Sequence, residues 1–329
     1  MSSFAIFTDK CNEHFFIDVH FNLWNQNYDD NYLDIGIMLN NLNENQNIYL
    51  YLPFIIEQEQ IYSMEESLKN DITLNAIFNE NYFVGTPGQS KWIPVSNKRI
   101  NNSNEENVLF KVYLLDSSND IKKLSLKQEF NDIENINNVF KMPEKIYVRF
   151  RIKLPPNIDI INEYSRPYDF IRGAFAKNYI IDFRYNDKRS FSRSEYEVIN
   201  TKYQLAKTKK LHFLLMTKVY VEVECSTEVK KRRLESNVWK NYAPNAETTD
   251  IIAYHATKKI RPEEDKDDIE SWDFFAKQTV ENKNWWLLIR FILITIFFGA
   301  FASMIGNHLD SFICNLIDKF LNFLISLSG

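Results

Sequence analysis

The chain has 329 residues, 45% of them hydrophobic, which is enough for one large domain or two of ordinary size. Its three cysteines are widely spaced and odd in number, which excludes a disulfide framework and a thiolate metal site and favours a reducing compartment. Only seven glycines are present, and none of them forms the glycine-rich phosphate loop of dinucleotide-binding folds or P-loop enzymes.

Charge divides the chain before residue 261 into two halves. Residues 1–142 hold 10 Lys and Arg against 20 Asp and Glu, whereas residues 143–260 hold 23 against 14. We interpret this change of sign as the main sign of internal organisation, with an acidic, strand-rich N-terminal half followed by a basic half of strands and helices. The net charge of the whole chain is −5.

Alternation of apolar and polar side chains predicts most of the elements, because successive side chains of a strand point to opposite faces of a sheet. The predicted strands are Phe15–Trp24, Leu33–Leu39, Ile48–Leu52, Val108–Leu115, Lys145–Leu154, Tyr179–Tyr185, Leu211–Cys225 and Asp250–Ile260. The predicted helices are Glu57–Lys69, Ile161–Lys177 and Ser226–Tyr242. Short strands joined by polar loops indicate an α+β fold, mainly antiparallel sheet, in the cytosolic domain or domains.

A charged linker and an interfacial segment, residues 261–284, lead to the most apolar part of the chain. Trp285–Ile305 reads WWLLIRFILITIFFGAFASMI, with Arg290 as its only charge. At 1.5 Å per residue these 21 residues make a helix of about 31 Å, close to the ~30 Å hydrocarbon core of a bilayer. We therefore predict a transmembrane helix over residues 285–306.

Small residues in this helix indicate how it packs. Gly299 lies four positions before Ser303, and Ala302 lies four before Gly306, a spacing that lets helix backbones approach closely in lipid. The alternative is that small residues are simply common in spanning helices. The first interpretation predicts a homo-oligomer.

Residues 311–328 follow a polar break at Asn307–Ser311 and have helical periodicity. Their polar face carries Asn315, Asp318, Lys319 and Asn322. Three arrangements fit this pattern: a helix lying flat in the interface, a second span packed against partners, or the lining of an aqueous pore. We favour a second span in an oligomer, so the chain ends in one or two transmembrane helices.

Topology follows from charge and from the N-terminus. Lys277, Lys283 and Arg290 precede the span and Asp310 follows it, which places the N-terminal side in the cytoplasm. The segment MSSFAIFTDK lacks the basic region and the long apolar run of a signal peptide. We expect a protein of the bacterial inner membrane with its N-terminal domain in the cytoplasm.

Motifs for catalysis are absent from the sequence. The five histidines form no HExxH pair, no serine lies in a G-x-S-x-G turn, and Cys225 is more typical of a buried structural thiol than of a nucleophile. We predict no catalytic residue, metal or cofactor. An enzyme would need a site assembled by the fold, and convergence of Asp182, His212 or His255 in a pocket would indicate one.

Basic residues supply the strongest functional lead. The predicted ligand-binding set is Arg149, Arg151, Lys153, Arg184, Arg189, Lys230, Lys231, Arg232 and Arg233. Candidate anions are lipid headgroups, a nucleotide signal, nucleic acid or the acidic half itself, although the negative net charge disfavours long nucleic acid. The alternatives are a solvated basic face and, for Arg184, an internal ion pair with Asp182.

These features predict a membrane-tethered cytosolic sensor or effector. Its soluble part would bind an anionic ligand or a protein partner, and its C-terminal helices would oligomerise and perturb the bilayer. Several bacterial anti-phage effectors share this layout, which is an analogy of architecture only. The alternatives are a scaffold that recruits a partner to the membrane and an enzyme acting on lipid or nucleic acid.

Overall fold

The computed structural model describes residues 3–9, 14–27, 30–41, 48–85, 92–98, 108–114, 131–132, 145–156, 158–164, 176–191, 197, 201, 203–244, 250–260, 267–281 and 285–327. The chain divides into two units. The larger unit is Met1–Tyr164 with Asn178–Thr279, and the smaller is Ser165–Lys177 with Val280–Gly329. The fold is mixed α+β with mostly antiparallel sheets, as the sequence predicts, and it has a single apolar helix near the C-terminus.

Eighteen strands make up the described sheets. They are β1 Ala5–Asp9, β2 Phe16–Asn27, β3 Asp30–Asn40, β4 Ile48–Tyr51, β5 Ile61–Ser63, β6 Phe83–Val84, β7 Trp92–Ser96, β8 Val108–Tyr113, β9 Asn131–Asp132, β10 Lys145–Lys153, β11 Ile161–Tyr164, β12 Ala176–Tyr185, β13 Tyr203–Leu205, β14 Thr208–Lys218, β15 Glu222–Cys225, β16 Lys230–Arg233, β17 Ile251–Lys259 and β18 Trp272–Glu281. The α-helices whose bounds lie in the described residues are α1 Glu65–Leu68, α2 Asp71–Phe78, α3 Ser236–Trp239 and α4 Trp285–Leu327.

The central sheet has ten strands in the order β16-β17-β14-β2-β3-β10-β8-β7-β6, with β5 also paired to β10. The pairs β14–β2 and β10–β8 are parallel, and the other pairs are antiparallel. The basic half contributes β16, β17 and β14 at one edge and β10 between β3 and β8, so the acidic and basic halves build one sheet together.

The two faces of the central sheet differ in chemistry because each strand alternates. One face carries Val19, Phe21, Ile35, Phe150 and Phe213, all at most 1% exposed. This face belongs to the main apolar core, which also contains side chains of the four-stranded sheets β13-β1-β4-β9 and β11-β12-β18-β15. The alternation predicted for Phe15–Trp24 and Lys145–Leu154 is confirmed.

The opposite face holds the polar side chains and is covered by the short helices. Helix α2 begins at Asn70, whose side-chain oxygen accepts the Ile72 backbone N–H at 2.8 Å, and ends at Asn79 in the left-handed conformation (φ 55°). Leu74 of α2 and Trp239 of α3 pack in a second apolar cluster on this side. The helices therefore cover part of the polar face, and the rest is open to solvent at exposed Lys230 and Arg232.

The three helices predicted before the membrane segment are largely wrong, because pairing with distant strands outweighs local helix propensity. Within Glu57–Lys69, Ile61 pairs with Ile152 of β10, and the helical parts are a short 3₁₀ helix, Gln58–Gln60, and the α-helix Glu65–Leu68. Residues 161–164 form β11 against β12, and residues 165–175 lie outside the described part of the chain. Residues 230–233 form edge strand β16, so the predicted Ser226–Tyr242 helix shrinks to α3.

The structure corrects two further predictions near the end of the larger unit. The predicted strand Leu211–Cys225 is two strands, because the chain turns at exposed Val219 and Tyr220. Phe274 was predicted to lie in an interfacial segment. Instead it lies in β18 with no exposed surface and packs in the main core.

Helix α4 is one continuous helix of 43 residues, about 64 Å long at 1.5 Å per residue. The predicted break at Asn307–Ser311 is wrong: the segment has no proline, and the single Gly306 costs only about 1 kcal/mol in a helix. Leu288–Gly306 is long and apolar enough to cross a membrane, and none of it is buried within the structure. This finding is compatible with membrane anchoring.

Candidate functional site

A cavity of about 950 Å³ lies between the polar face of the central sheet and helices α2 and α3. Its floor is formed by side chains of β2, β3, β10, β14, β16 and β17. The size falls within the usual range of small-molecule sites, about 300–1,000 Å³. The charged and histidine side chains that line it are Asp18, His20, Glu80, Arg149, Lys210, His212, Lys230, Arg232, Glu235 and His255.

A buried ion-pair network lies at one end of this face. Asp34 of β3, with no exposed surface, accepts hydrogen bonds from Arg151 Nε at 2.5 Å and Arg151 Nη2 at 3.0 Å. The same carboxylate accepts the Trp24 indole N–H at 2.8 Å and the Tyr242 hydroxyl at 2.6 Å. Burial raises the pKa of Asp34, but its bonds to Arg151 and the charge of Arg149 lower it more, so its pKa lies below the ordinary value.

Arg149 is the member of this network that lines the cavity, and it is only 1% exposed. Its Nε donates to the Tyr242 hydroxyl at 2.6 Å and its Nη1 to the Tyr147 hydroxyl at 2.8 Å. With the Asn22 amide oriented to present its oxygen, Arg149 Nη2 donates to it at 2.7 Å. Burial lowers the pKa of Arg149, but Tyr147, Tyr242 and Asp34 raise it, so the guanidinium stays charged.

Gly36 makes this arrangement possible. It lies opposite Arg149 in the β10–β3 pair and opposite His20 in the β2–β3 pair. A Cβ at this position would lie 2.8 Å from Arg149 Nη1 and would also collide with the Tyr147 hydroxyl. The missing side chain therefore lets the guanidinium extend across β3 towards β2, beside His20.

The network carries one uncompensated positive charge. Arg151 forms the close, bidentate pair with Asp34, whereas Arg149 Nη2 is 3.7 Å from the same carboxylate. In the described part of the chain, no second carboxylate lies within ion-pair distance of either guanidinium. A buried charge without a full counter-charge costs several kcal/mol, so an anion in the cavity next to Arg149 would be favourable.

Three histidines form the centre of the cavity floor. His20 and His212 are directly opposite in the parallel β2–β14 pair, with ring centroids 4.7 Å apart. Nδ1 of His212 and Nε2 of His255 lie 2.7 Å apart, and the Thr257 hydroxyl is 3.2 Å from the first and 2.9 Å from the second. The cross-strand register alone brings these three imidazoles into contact.

All three imidazoles are neutral at neutral pH. Burial lowers the pKa of His20 well below its ordinary value, and His212 and Arg149 lower it further. Burial and then Lys210 lower the pKa of His212 to about 3, and burial and then Lys230 lower the pKa of His255. Apart from burial and the neighbouring imidazoles, the causes are Arg149 and lysine ammonium groups, so the electrostatic potential of the cavity is positive.

The predicted ligand-binding residues do not all lie together. Arg149, Lys230 and Arg232 line the cavity, and Arg151 lies behind it, bound to Asp34. Lys153 is on the same strand face but pairs with Asp30 at 2.7 Å near the surface.

The remaining basic residues lie outside the cavity lining. Arg184 binds both oxygens of Asp182, at 3.0 and 2.7 Å, and Arg189 binds Asp187 at 3.0 Å. The ion pair considered for Arg184 is therefore present. Lys231 lies 5.2 Å from the Tyr254 ring, and Arg233 is 2.8 Å from Asp250.

The residues predicted for the C-terminal helix all lie in α4. All eight of these residues are solvent-exposed: Gly299, Ala302, Ser303, Gly306, Asn315, Asp318, Lys319 and Asn322. A Cβ on Gly299 or Gly306 would meet no atom within 4 Å. Their roles in packing and pore formation stay predictions.

Sequence reasoning missed His20, Asp34 and Gly36 as site residues. Each histidine, taken separately, is typical of an ordinary surface or core residue. The available signal was that His20, His212 and His255 all lie on the polar sides of strands that alternate strongly. Among the described residues, no group of three or more His, Cys, Asp or Glu is arranged to hold a metal ion.

No protein-family model and no curated protein sequence matches this chain. The geometry of the cavity is therefore the basis for any functional argument.

Proposed function

We propose that this protein is a membrane-tethered sensor whose larger unit binds a small anionic ligand in the cavity beside Arg149. The observation that supports this most is the buried guanidinium in excess over its carboxylate partners at the floor of a cavity. Lys210 and Lys230 line the same cavity, and we find no hydrogen bond or ion pair to either ammonium group from a described residue. An anion of the phosphate class would offset the charge at both places.

The tether in this proposal is the apolar helix Leu288–Gly306. Beyond it, α4 continues with exposed Phe312, Ile313, Leu316 and Ile317 on its apolar side and Asp318 with Lys319 on its polar side. We propose that this region assembles with further copies and perturbs the bilayer when the sensor is occupied.

Ligand binding is tested with the full chain in a non-ionic detergent. Inorganic phosphate, pyrophosphate and sulfate are added separately, and the melting temperature is measured. At a concentration about 100 times Kd, a bound anion stabilises by about 2.7 kcal/mol, which raises the melting temperature by about 5–10 °C. Arg149→Met should remove this increase, whereas the matched control Arg184→Met should retain it. The proposal fails if none of the three anions shifts the wild-type melting temperature.

Membrane perturbation is tested with dye-loaded vesicles of phosphatidylethanolamine and phosphatidylglycerol. The full chain should release dye, and replacing both Asp318 and Lys319 with Leu should abolish release if these residues line a pore. If the wild type inserts without causing release and the variant binds anions normally, the protein is a scaffold rather than a pore-forming effector.

An enzymatic role is favoured by one observation, the convergence of His212 and His255 in the cavity. The lowered pKa values make both imidazoles weak bases, and no described carboxylate hydrogen-bonds to either ring to orient it. Asp182 lies outside the cavity lining, bound to Arg184. We therefore propose binding without turnover; release of phosphate from pyrophosphate by the wild type, lost in His212→Asn, would indicate an enzyme.

A further inference from the structure

We propose that His20, His212 and His255 form a subsite for a dianionic tetrahedral group of the phosphate or sulfate type, which they bind after taking up one proton from solvent. This inference rests on the proposed anion sensor. Beyond that proposal, it specifies that the bound group carries two negative charges and that ligand affinity depends on pH.

The position of the three rings supports such a subsite. Gly36 lies opposite both His20 and Arg149, and the room left by its missing side chain is taken by the Arg149 guanidinium and the Tyr147 hydroxyl, which places Arg149 close enough to lower the pKa of His20. On the other side, His255 is opposite Lys230 in the β16–β17 pair. The histidines therefore lie between the excess guanidinium and the ammonium group of an edge strand, and all of them line the cavity.

Counting protons on the His212–His255 pair explains why one proton should accompany the anion. Two neutral imidazoles have four ring nitrogens and two protons, and one of those protons occupies the 2.7 Å contact. One outer nitrogen then carries an N–H and the other a lone pair, which repels an anion. A third proton leaves the contact intact and converts both outer nitrogens into donors.

The charged groups around the rings disfavour that third proton while the cavity is empty of anion. The cationic neighbours are Arg149 of β10, Lys210 of β14, Lys230 and Arg232 of β16, and Lys259 of β17. The acidic lining groups are Asp18 of β2, Glu80 after α2 and Glu235 before α3. Glu235 is occupied by Arg232, and burial raises the pKa of Asp18.

Charge decides between a dianion and a monoanion. One negative charge is enough to balance the excess at Arg149, and it leaves nothing to stabilise an added imidazolium. A second negative charge offsets the imidazolium directly, so a dianion binds together with a proton and a monoanion binds without one.

Sulfate and methanesulfonate separate these cases, because both are tetrahedral, neither changes its charge between about pH 5 and pH 8, and they carry two charges and one. Titration calorimetry on the full chain in detergent, in two buffers of different ionisation enthalpy, counts the protons taken up. We expect sulfate to bind with uptake of close to one proton near pH 5.5 and about tenfold more tightly there than near pH 7.5. Methanesulfonate should show neither effect.

Variants assign the proton. His212→Asn with His255→Asn should remove the uptake and the difference in sulfate affinity between pH 5.5 and pH 7.5, and His212→Gln alone should reduce the uptake. His14→Asn, the same change at an exposed histidine outside this cavity, should behave as wild type. Asp18→Asn should retain the uptake.

Three results overturn the inference. Sulfate binding without proton uptake, or with equal affinity at both pH values, removes the histidine subsite but leaves the anion sensor in place. Loss of the uptake in Asp18→Asn, with its retention in the double histidine variant, assigns the proton to the carboxyl group instead. No binding of sulfate, phosphate or pyrophosphate to the wild type would remove both proposals. The wild-type comparison of sulfate with methanesulfonate does not depend on whether any variant folds.

Discussion

Replacing Asp34 with Asn should be one of the most destabilising isosteric changes in the larger unit. The substitution keeps the shape of the side chain but removes the single carboxylate that lies beside both Arg149 and Arg151. It also places an amide N–H₂ opposite some of the donors of Trp24, Arg151 and Tyr242. Two buried guanidinium groups then lack a counter-charge, which costs about 3–5 kcal/mol.

For a unit of this size, each kcal/mol corresponds to about 2–4 °C in melting temperature, so Asp34→Asn should melt about 6–20 °C below wild type. The measurement is a thermal melt of the full chain in detergent, followed by near-ultraviolet circular dichroism.

Asp30→Asn is the matched control on the same strand. Its pair with Lys153 is 2.7 Å long but about 40% exposed on each side, and exposed pairs contribute little. It should shift the melting temperature by less than about 2 °C. If Asp34→Asn melts as close to wild type as Asp30→Asn does, the network does not carry the excess positive charge described above, and the argument for an anion loses its basis.

Three further changes test other parts of the structure. Gly36→Ala should lower the free energy of unfolding by about 1–3 kcal/mol and weaken sulfate binding, because the added methyl group displaces Arg149. A variant with the melting temperature and sulfate affinity of wild type would contradict this. In a buffer without sulfate or phosphate, the wild type should lose stability as pH falls from about 6.5 towards 4. Without a bound anion the cavity histidines take up protons only on unfolding, which costs up to about 1.4 kcal/mol of stability per pH unit for each histidine, and His212→Asn should flatten that slope. Ile294→Lys together with Phe298→Lys should release the chain from carbonate-washed membranes. A wild type that stays in the supernatant without detergent would refute the membrane anchor.

Much of the fold could be predicted from local pattern. The alternation in β2, β3, β10, β14 and β17 identified these strands and the face that each presents to the core. These strand predictions are confirmed because a hydrophobic period of two can be recognised from a few consecutive residues. The helices predicted before residue 261 are largely wrong. Ile61, Ile161 and Lys230 pair with strands instead, because an unpaired sheet edge competes with helix formation at these places.

The candidate site was predictable only in part. Arg149, Lys230 and Arg232 were predicted from the clustering of cations, yet the sequence could not distinguish Arg149 in the cavity from Arg184 in an ion pair. That distinction depends on which carboxylate lies within reach, and Asp34 is more than a hundred residues away from Arg149 along the chain.

By itself, the sequence determined an α+β fold with mostly antiparallel strands and an apolar C-terminal helix that could span a membrane, since both follow from the periodicity and length of local segments. Only the tertiary structure decided that His20, His212 and His255 touch and that Arg149 is left with an uncompensated charge. The physical reason is register: hydrogen bonding between strands that are distant in sequence sets which side chains become neighbours, and a shift of one residue would send each histidine to the opposite face.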